Sequence, residues 1–173
     1  MTKYFSTFIY WICNGVLMIV PVFMLYFLWD IDSLASLAKT NMNLPIFWET
    51  VKSWQWYSLW VLTTAYMSIG LVGLYFLRRP FQNFANGELF NLFNSLNLKR
   101  FSILLFAHAI ATPLYFSLSS VLLSLNHPDG QKVLSVSFGS NEIKSIVLAM
   151  IFWVLSNLLV DAAKLKSENQ QFV

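Results

Sequence analysis

The chain has 173 residues and a formal net charge of +3, with 57% hydrophobic, 17% aromatic and only 11% charged side chains; its mean hydropathy is +0.60. Soluble domains carry about a quarter charged residues, so this composition excludes a soluble domain and calls for one integral membrane domain over residues 1–173. The eleven cations stand at the ends of apolar runs, where they set orientation in a bilayer, and direct nucleic-acid binding is excluded with them.

The first apolar run, residues 5–29, carries no charge and is long enough to cross a hydrocarbon core of about 30 Å. Asn14, Gly15 and Pro21 interrupt it and no small-residue cleavage site follows, so it reads as a retained transmembrane helix, kinked at Pro21, rather than a signal peptide. Its Cys13 is the sole cysteine, which leaves neither a disulfide nor a thiolate metal site within one chain.

Residues 30–52 read as an aqueous loop in which Asp32-Ser33 caps a short helix through Leu34 and Leu37 and Pro45 ends it. Trp48, Trp54, Trp56, Tyr57 and Trp60 crowd the entrance of the second run, as aromatic rings do at headgroup level. That run, residues 53–77, is again uncharged, and Thr64, Ser68, Gly70 and Gly73 offer small surfaces for close helix approach.

Residues 78–101 form the polar-flanked segment between two long apolar runs. Arg78 and Arg79 open it, Lys99 and Arg100 close it, and between them Leu89, Leu92, Phe93 and Leu96 recur at helical spacing among Asn91, Asn94, Ser95 and Asn97. The pattern predicts an amphipathic connector helix whose apolar face is hidden, either at the membrane surface or against the ends of neighbouring helices. Arg78, Arg79, Leu89, Phe90, Phe93, Lys99 and Arg100 are its candidate partner-docking residues.

The third run, residues 101–125, carries a polar stripe of His108, Thr112, Tyr115 and Ser119 at i, i+4, i+7 and i+11, which should face other helices; Pro113 predicts a bend beside it. Asn126 to Gly130 is a turn by composition, and the alternation after it places Leu134, Val136 and Phe138 on one side, predicting a short strand or hairpin outside the membrane. Ser140-Asn141-Glu142 starts a last helix over about 142–166, with only sixteen uncharged residues and with Lys144 placed to snorkel. The expected fold is therefore an all-α four-transmembrane-helix bundle, with helices at about 5–29, 53–77, 101–125 and 142–166. The residue 78–101 side holds seven cations, Lys3, Arg78, Arg79, Lys99, Arg100, Lys164 and Lys166, against four on the other, so both termini and the connector are expected in the cytoplasm.

Gly87-Glu-Leu-Phe90 ahead of Lys99-Arg100, and the ending Leu165-Lys-Ser-Glu168-Asn169-Gln-Gln-Phe-Val173, resemble a bacterial membrane family catalogued as domain of unknown function 2975. Its usual features are four spans, a cytoplasmic G-x-x-F connector and a tail of the form L-x-x-E-N-x-x-x-V; where the family commonly has Pro-Phe, this chain has Leu89-Phe90. The resemblance implies a bacterial inner-membrane location and, as a partner class, a small cytoplasmic helix-turn-helix regulator. It implies no active-site residue.

The sharpest constellation for chemistry is a polar layer: Asn14, Ser68, His108 with Thr112, and Asn157 each fall at similar depth on a different predicted span. A ligand, headgroup or proton site at His108 is one reading; interhelical hydrogen bonding alone, at about 1 kcal/mol per contact, is the other. His127 lies on the opposite side from His108, so no axial pair spans a haem, and no cofactor or metal is expected. Hydrolytic motifs of the GxSxG and HExxH types do not occur, and no intramembrane carboxylate marks a transporter. Two function classes follow. One is a non-enzymatic membrane sensor or anchor controlling a cytoplasmic regulator; the other is a lipid- or small-molecule-handling membrane protein working through the polar layer.

Overall fold

A computed structural model describes residues 2–169. The described residues form five α-helices: α1 (Thr2–Trp29), α2 (Ile31–Asn41), α3 (Ser53–Ala85), α4 (Leu92–Ser124) and α5 (Ser140–Asn169). Four are long and apolar enough to cross a membrane, over Lys3–Trp29, Ser53–Ala85, Leu92–Ser124 and Ser140–Leu165, with mean hydropathies of 2.1, 1.6, 1.6 and 2.1. This is the make-up of a multi-pass membrane protein. The four long helices pack in chain order as an open bundle, α1 on α3, α3 on α4 and α4 on α5. The most apolar stretch of α4 is accordingly 22% buried and that of α1 only 6%; the remaining apolar surface is what a bilayer covers.

Helices α3 and α4 both outrun their charge-free stretches, and this corrects the separate connector helix. Helix α3 continues through Arg78, Arg79 and Pro80 to Ala85, because the turns beyond Leu77 carry Phe81 and Phe84 onto a core of Cys13, Leu77, Leu98 and Phe101. Pro80 lacks the N–H for one ladder bond and is itself buried there. The connection shrinks to residues 86–91. Gly87 takes a positive φ of 88°, which lets Glu88 N–H bond back to Asn83 O at 2.9 Å, and Asn91 caps α4 by accepting from Phe93 N–H at 2.9 Å.

At the opposite end, α2 and the loops 42–52 and 125–139 form a cap with its own core of Ala35, Ala38, Ile46, Trp56, Leu59 and Leu123. The N-cap of α2 is Asp30, not Asp32-Ser33, and Leu34 is buried while Leu37 faces outward. The expected strand at 131–138 is absent among the described residues. The alternation is real, with Leu134, Val136 and Phe138 exposed, but no second strand lies beside it to pair. Serine hydroxyls on α4 take that role: Ser135 N–H donates to Ser120 Oγ at 2.9 Å and Val133 N–H to Ser124 Oγ at 3.0 Å.

Polar clamps hold the cap to the helix ends. Gln55, fully buried, donates from Nε2 to Leu122 O at 2.6 Å and accepts from Asn126 Nδ2 at 2.5 Å. His127, also buried, accepts from Phe47 N–H at Nε2, 3.0 Å, with its Nδ1 2.9 Å from Gln131 O. A nitrogen that accepts a backbone N–H is not itself a donor, so it is Nδ1–H that donates to Gln131 O.

Candidate functional site

Thr63, Tyr66, Gly70 and Gly73 fall at i, i+3, i+7 and i+10 along α3, which places them on one stripe facing α4. Gly70 faces His108: a methyl group at its Cα would stand 3.4 Å from the imidazole Cδ2, in van der Waals contact. His108 and Tyr115 are two turns apart on α4, about 10.5 Å, and the Tyr66 ring enters the gap between them. It stacks on His108 at 4.4 Å between centroids and on Tyr115 at 4.7 Å.

The hydroxyls around this stack form two ordered chains. Thr112 Oγ1 donates to His108 O at 3.1 Å and lies 3.0 Å from Tyr66 OH; Thr63 Oγ1 donates to Leu59 O at 2.8 Å and lies 3.0 Å from Tyr115 OH. Each threonine has one proton, already given to the backbone, so both tyrosines are the donors. The hydroxyls are thereby satisfied inside an apolar environment. The His108 ring nitrogens, in contrast, have no hydrogen-bond partner among the described residues, and the ring borders an apolar cavity of about 280 Å³ walled by Val16, Val20, Met67, Leu104 and Leu105. That cavity fits a small apolar molecule with a single polar group to meet the imidazole.

The wider polar layer does not assemble. Ser68 and Asn157 are exposed, Ser68 Oγ returning to Ala65 O at 2.7 Å, and on α5 it is Ser156 that is buried. Depth alone placed them together, whereas about 100° of rotation per residue turns Ser68 away from the face that Tyr66 occupies. Asn14 is bonded instead to Arg78, Nη1 to Oδ1 at 2.9 Å, eight residues and about 12 Å along α3 from Gly70. The predicted stripe contributes His108, Thr112 and Tyr115 to the cluster; Ser119 is fully buried, and its Oγ has no hydrogen-bond partner among the described residues. Thr63, Tyr66 and Gly70 are the members that the polar-layer reading missed, although their heptad-like spacing was present to be read.

The candidate docking residues occupy the end that carries the 86–91 turn. Each of the four cations lies against an aromatic ring: Arg78 is 4.7 Å from the Tyr75 centroid, Arg79 5.9 Å from Phe93, Lys99 4.8 Å from Trp153 and Arg100 5.3 Å from Phe76. Leu89, Phe90, Leu92, Phe93 and Leu96 are all exposed, while Asn94, Ser95 and Asn97 are buried. The apolar face is thus not packed on helix ends. Asn94 accounts for the inversion: it accepts from Asn83 Nδ2 at 2.6 Å and donates to Glu88 O at 2.7 Å, tying the turn together. Of the tail pattern, Gln170 to Val173 lie outside the described residues.

Among the described residues, no cluster of His, Cys, Asp and Glu is placed to hold a metal. No curated protein and no solved structure matches this chain. A family model described as protein of unknown function (DUF2975) matches residues 6–173, nearly the whole of the four-helix layout and both signature segments, and the chain belongs to that family.

Proposed function

We propose that this is a non-enzymatic bacterial inner-membrane protein, both termini cytoplasmic, that senses a membrane or envelope condition and controls a small cytoplasmic helix-turn-helix regulator. The observation that carries the reading is the inverted turn end. Five large apolar side chains stand outward, Leu89 and Phe90 on the turn and Leu92, Phe93 and Leu96 on the first turns of α4, where the buried Asn94 ties the turn to both helices, beside the cationic end of the bundle. Preorganised apolar surface is what a docking partner uses, since the ordering cost is already met. Substituting both Phe90 and Phe93 with Ser, with membrane insertion verified, should release a crosslinked regulator and change transcription of its targets. A crosslinking pull-down that recovers no regulator, with transcription unchanged on gene deletion, overturns the reading.

A second reading is favoured by the open His108 nitrogens: the protein handles a small amphipathic molecule in the cavity between α1, α3 and α4. Replacing Gly70 with Leu fills that cavity. It should abolish ligand retention measured by mass spectrometry of the purified protein while leaving the turn-end pull-down intact, which separates the two readings.

A further inference from the structure

A second concavity lies between α4 and α5, away from the His108 cavity. It measures about 750 Å³ and is walled by Ile103 and Phe106 on one side and Ala149, Met150, Trp153 and Val154 on the other. Its one polar wall residue, Ser102, spends its hydroxyl on Lys99 O at 2.7 Å, so the groove presents hydrocarbon throughout. A cation stands at one end. Lys99 precedes Ser102, Ile103 and Phe106 by three, four and seven residues, which puts it on the same stripe of α4, and its ammonium sits 4.8 Å from the centroid of Trp153, itself a wall of the groove. Among the described residues no carboxylate forms an ion pair with Lys99. On α5, Asn157 follows Trp153 by one turn toward the same end and is exposed. Arg100, by contrast, turns to Phe76 on α3.

We propose that the α4–α5 groove is a binding site for an anionic phospholipid, one acyl chain lying along the groove and the headgroup phosphate held by Lys99 with the Asn157 amide beside it. The charge arrangement selects this occupant. A lipid without a headgroup phosphate, or an apolar partner helix, would fill the hydrocarbon part equally well but leaves the half-buried Lys99 with only a ring for company, whereas a phosphate gives it a charge-assisted hydrogen bond at the depth where headgroups sit, and most strongly when the headgroup has no cation of its own to neutralise that phosphate. The inference concerns the α4–α5 groove and does not rest on regulator docking, although Lys99 is also among the candidate docking residues. It also gives Asn157, which takes no part in the His108 cluster, a neighbour of complementary chemistry.

The test is native mass spectrometry of the full chain in a neutral detergent, titrated with phosphatidylglycerol or phosphatidylcholine. One phosphatidylglycerol should bind about fivefold more tightly than phosphatidylcholine, the worth of one basic side chain near an anionic headgroup. Lys99→Ala should remove that preference and Lys99→Arg keep it. Met150→Trp, which fills the groove, should lower retention of both lipids, and Lys3→Ala, an equal loss of charge on α1, should change nothing. Millimolar inorganic phosphate should not displace the lipid. Circular dichroism and a monodisperse elution peak confirm that each variant is folded. Equal binding of the two lipids, equal losses in the Lys3 and Lys99 variants, indifference to Met150→Trp, or a dimer mass that excludes lipid from the groove overturns the proposal.

Discussion

The two ends of the molecule solve the same problem in opposite ways. At the cap, Leu59, Leu123 and Trp56 are turned inward and make a core of the ordinary kind. At the 86–91 turn and the first turns of α4, the leucines and phenylalanines face outward, and Asn94, Ser95 and Asn97 fill the interior. The cap must exclude water from an apolar cluster formed by several short segments, and burial of hydrocarbon is its main source of stability. The turn joins only two helices, already packed by Leu77, Leu98 and Phe101, so what needs satisfying there is the backbone of a tight connection. Asparagine side chains do that, and the apolar side chains are released to the outside.

The largest expected effect sharpens this contrast. Leu123→Ala, at a fully buried cap position, should cost about 2–5 kcal/mol, read as a lowered midpoint in thermal unfolding in detergent. Leu96→Ala, an identical change on the outward face of α4 beside the turn, should fall within about 0.5 kcal/mol. Equal losses would erase the distinction. At intermediate size, Asn94→Ala removes the buried bridge between Asn83 and Glu88, and His127→Phe strands the Phe47 N–H in the cap. Each removes the bonds of a part-buried polar group and should cost about 1 kcal/mol. Hydrogen exchange should then accelerate at residues 86–91 in the first variant and at 46–48 in the second, and not the reverse.

The smallest effect belongs to Asp30. Hydrogen bonds from the Ser33 hydroxyl and backbone N–H, with a further one from Tyr26 OH, hold its carboxyl below the usual carboxylate range. Its contribution to the cap of α2 is therefore complete above the unfolded value of about 3.9 and is lost only as the pH falls through the lower folded value. Asp30→Asn should flatten that acid limb of helicity, followed by circular dichroism from pH 6 to pH 2, and leave the profile above pH 5 unchanged in shape.

The spans were legible because three charge-free runs and a shorter fourth admit no other reading in a chain of this composition. What the pattern could not convey was rotation. Tyr66 and Ser68 lie at nearly the same depth, yet one is clasped by α4 and the other faces outward, and only the position of the neighbouring helix decides between them. Charge misled in a second way: Arg78 and Lys99 mark where hydrocarbon ends, and helices need not end there, because long basic side chains can reach the interface while the backbone continues. The alternation at residues 131–138 was a true signal of extended chain. A strand further requires a partner, and here the partner donors and acceptors are serine hydroxyls of α4.

The Tyr66 ring, lodged between His108 and Tyr115, also has a mechanical meaning. It acts as a detent: sliding α3 along α4 by one turn, about 5.4 Å, would drive the ring through one of its two neighbours. Dense packing of this kind switches between discrete arrangements and does not creep. The α3–α4 pair is thereby braced against a piston stroke at the level of this stack.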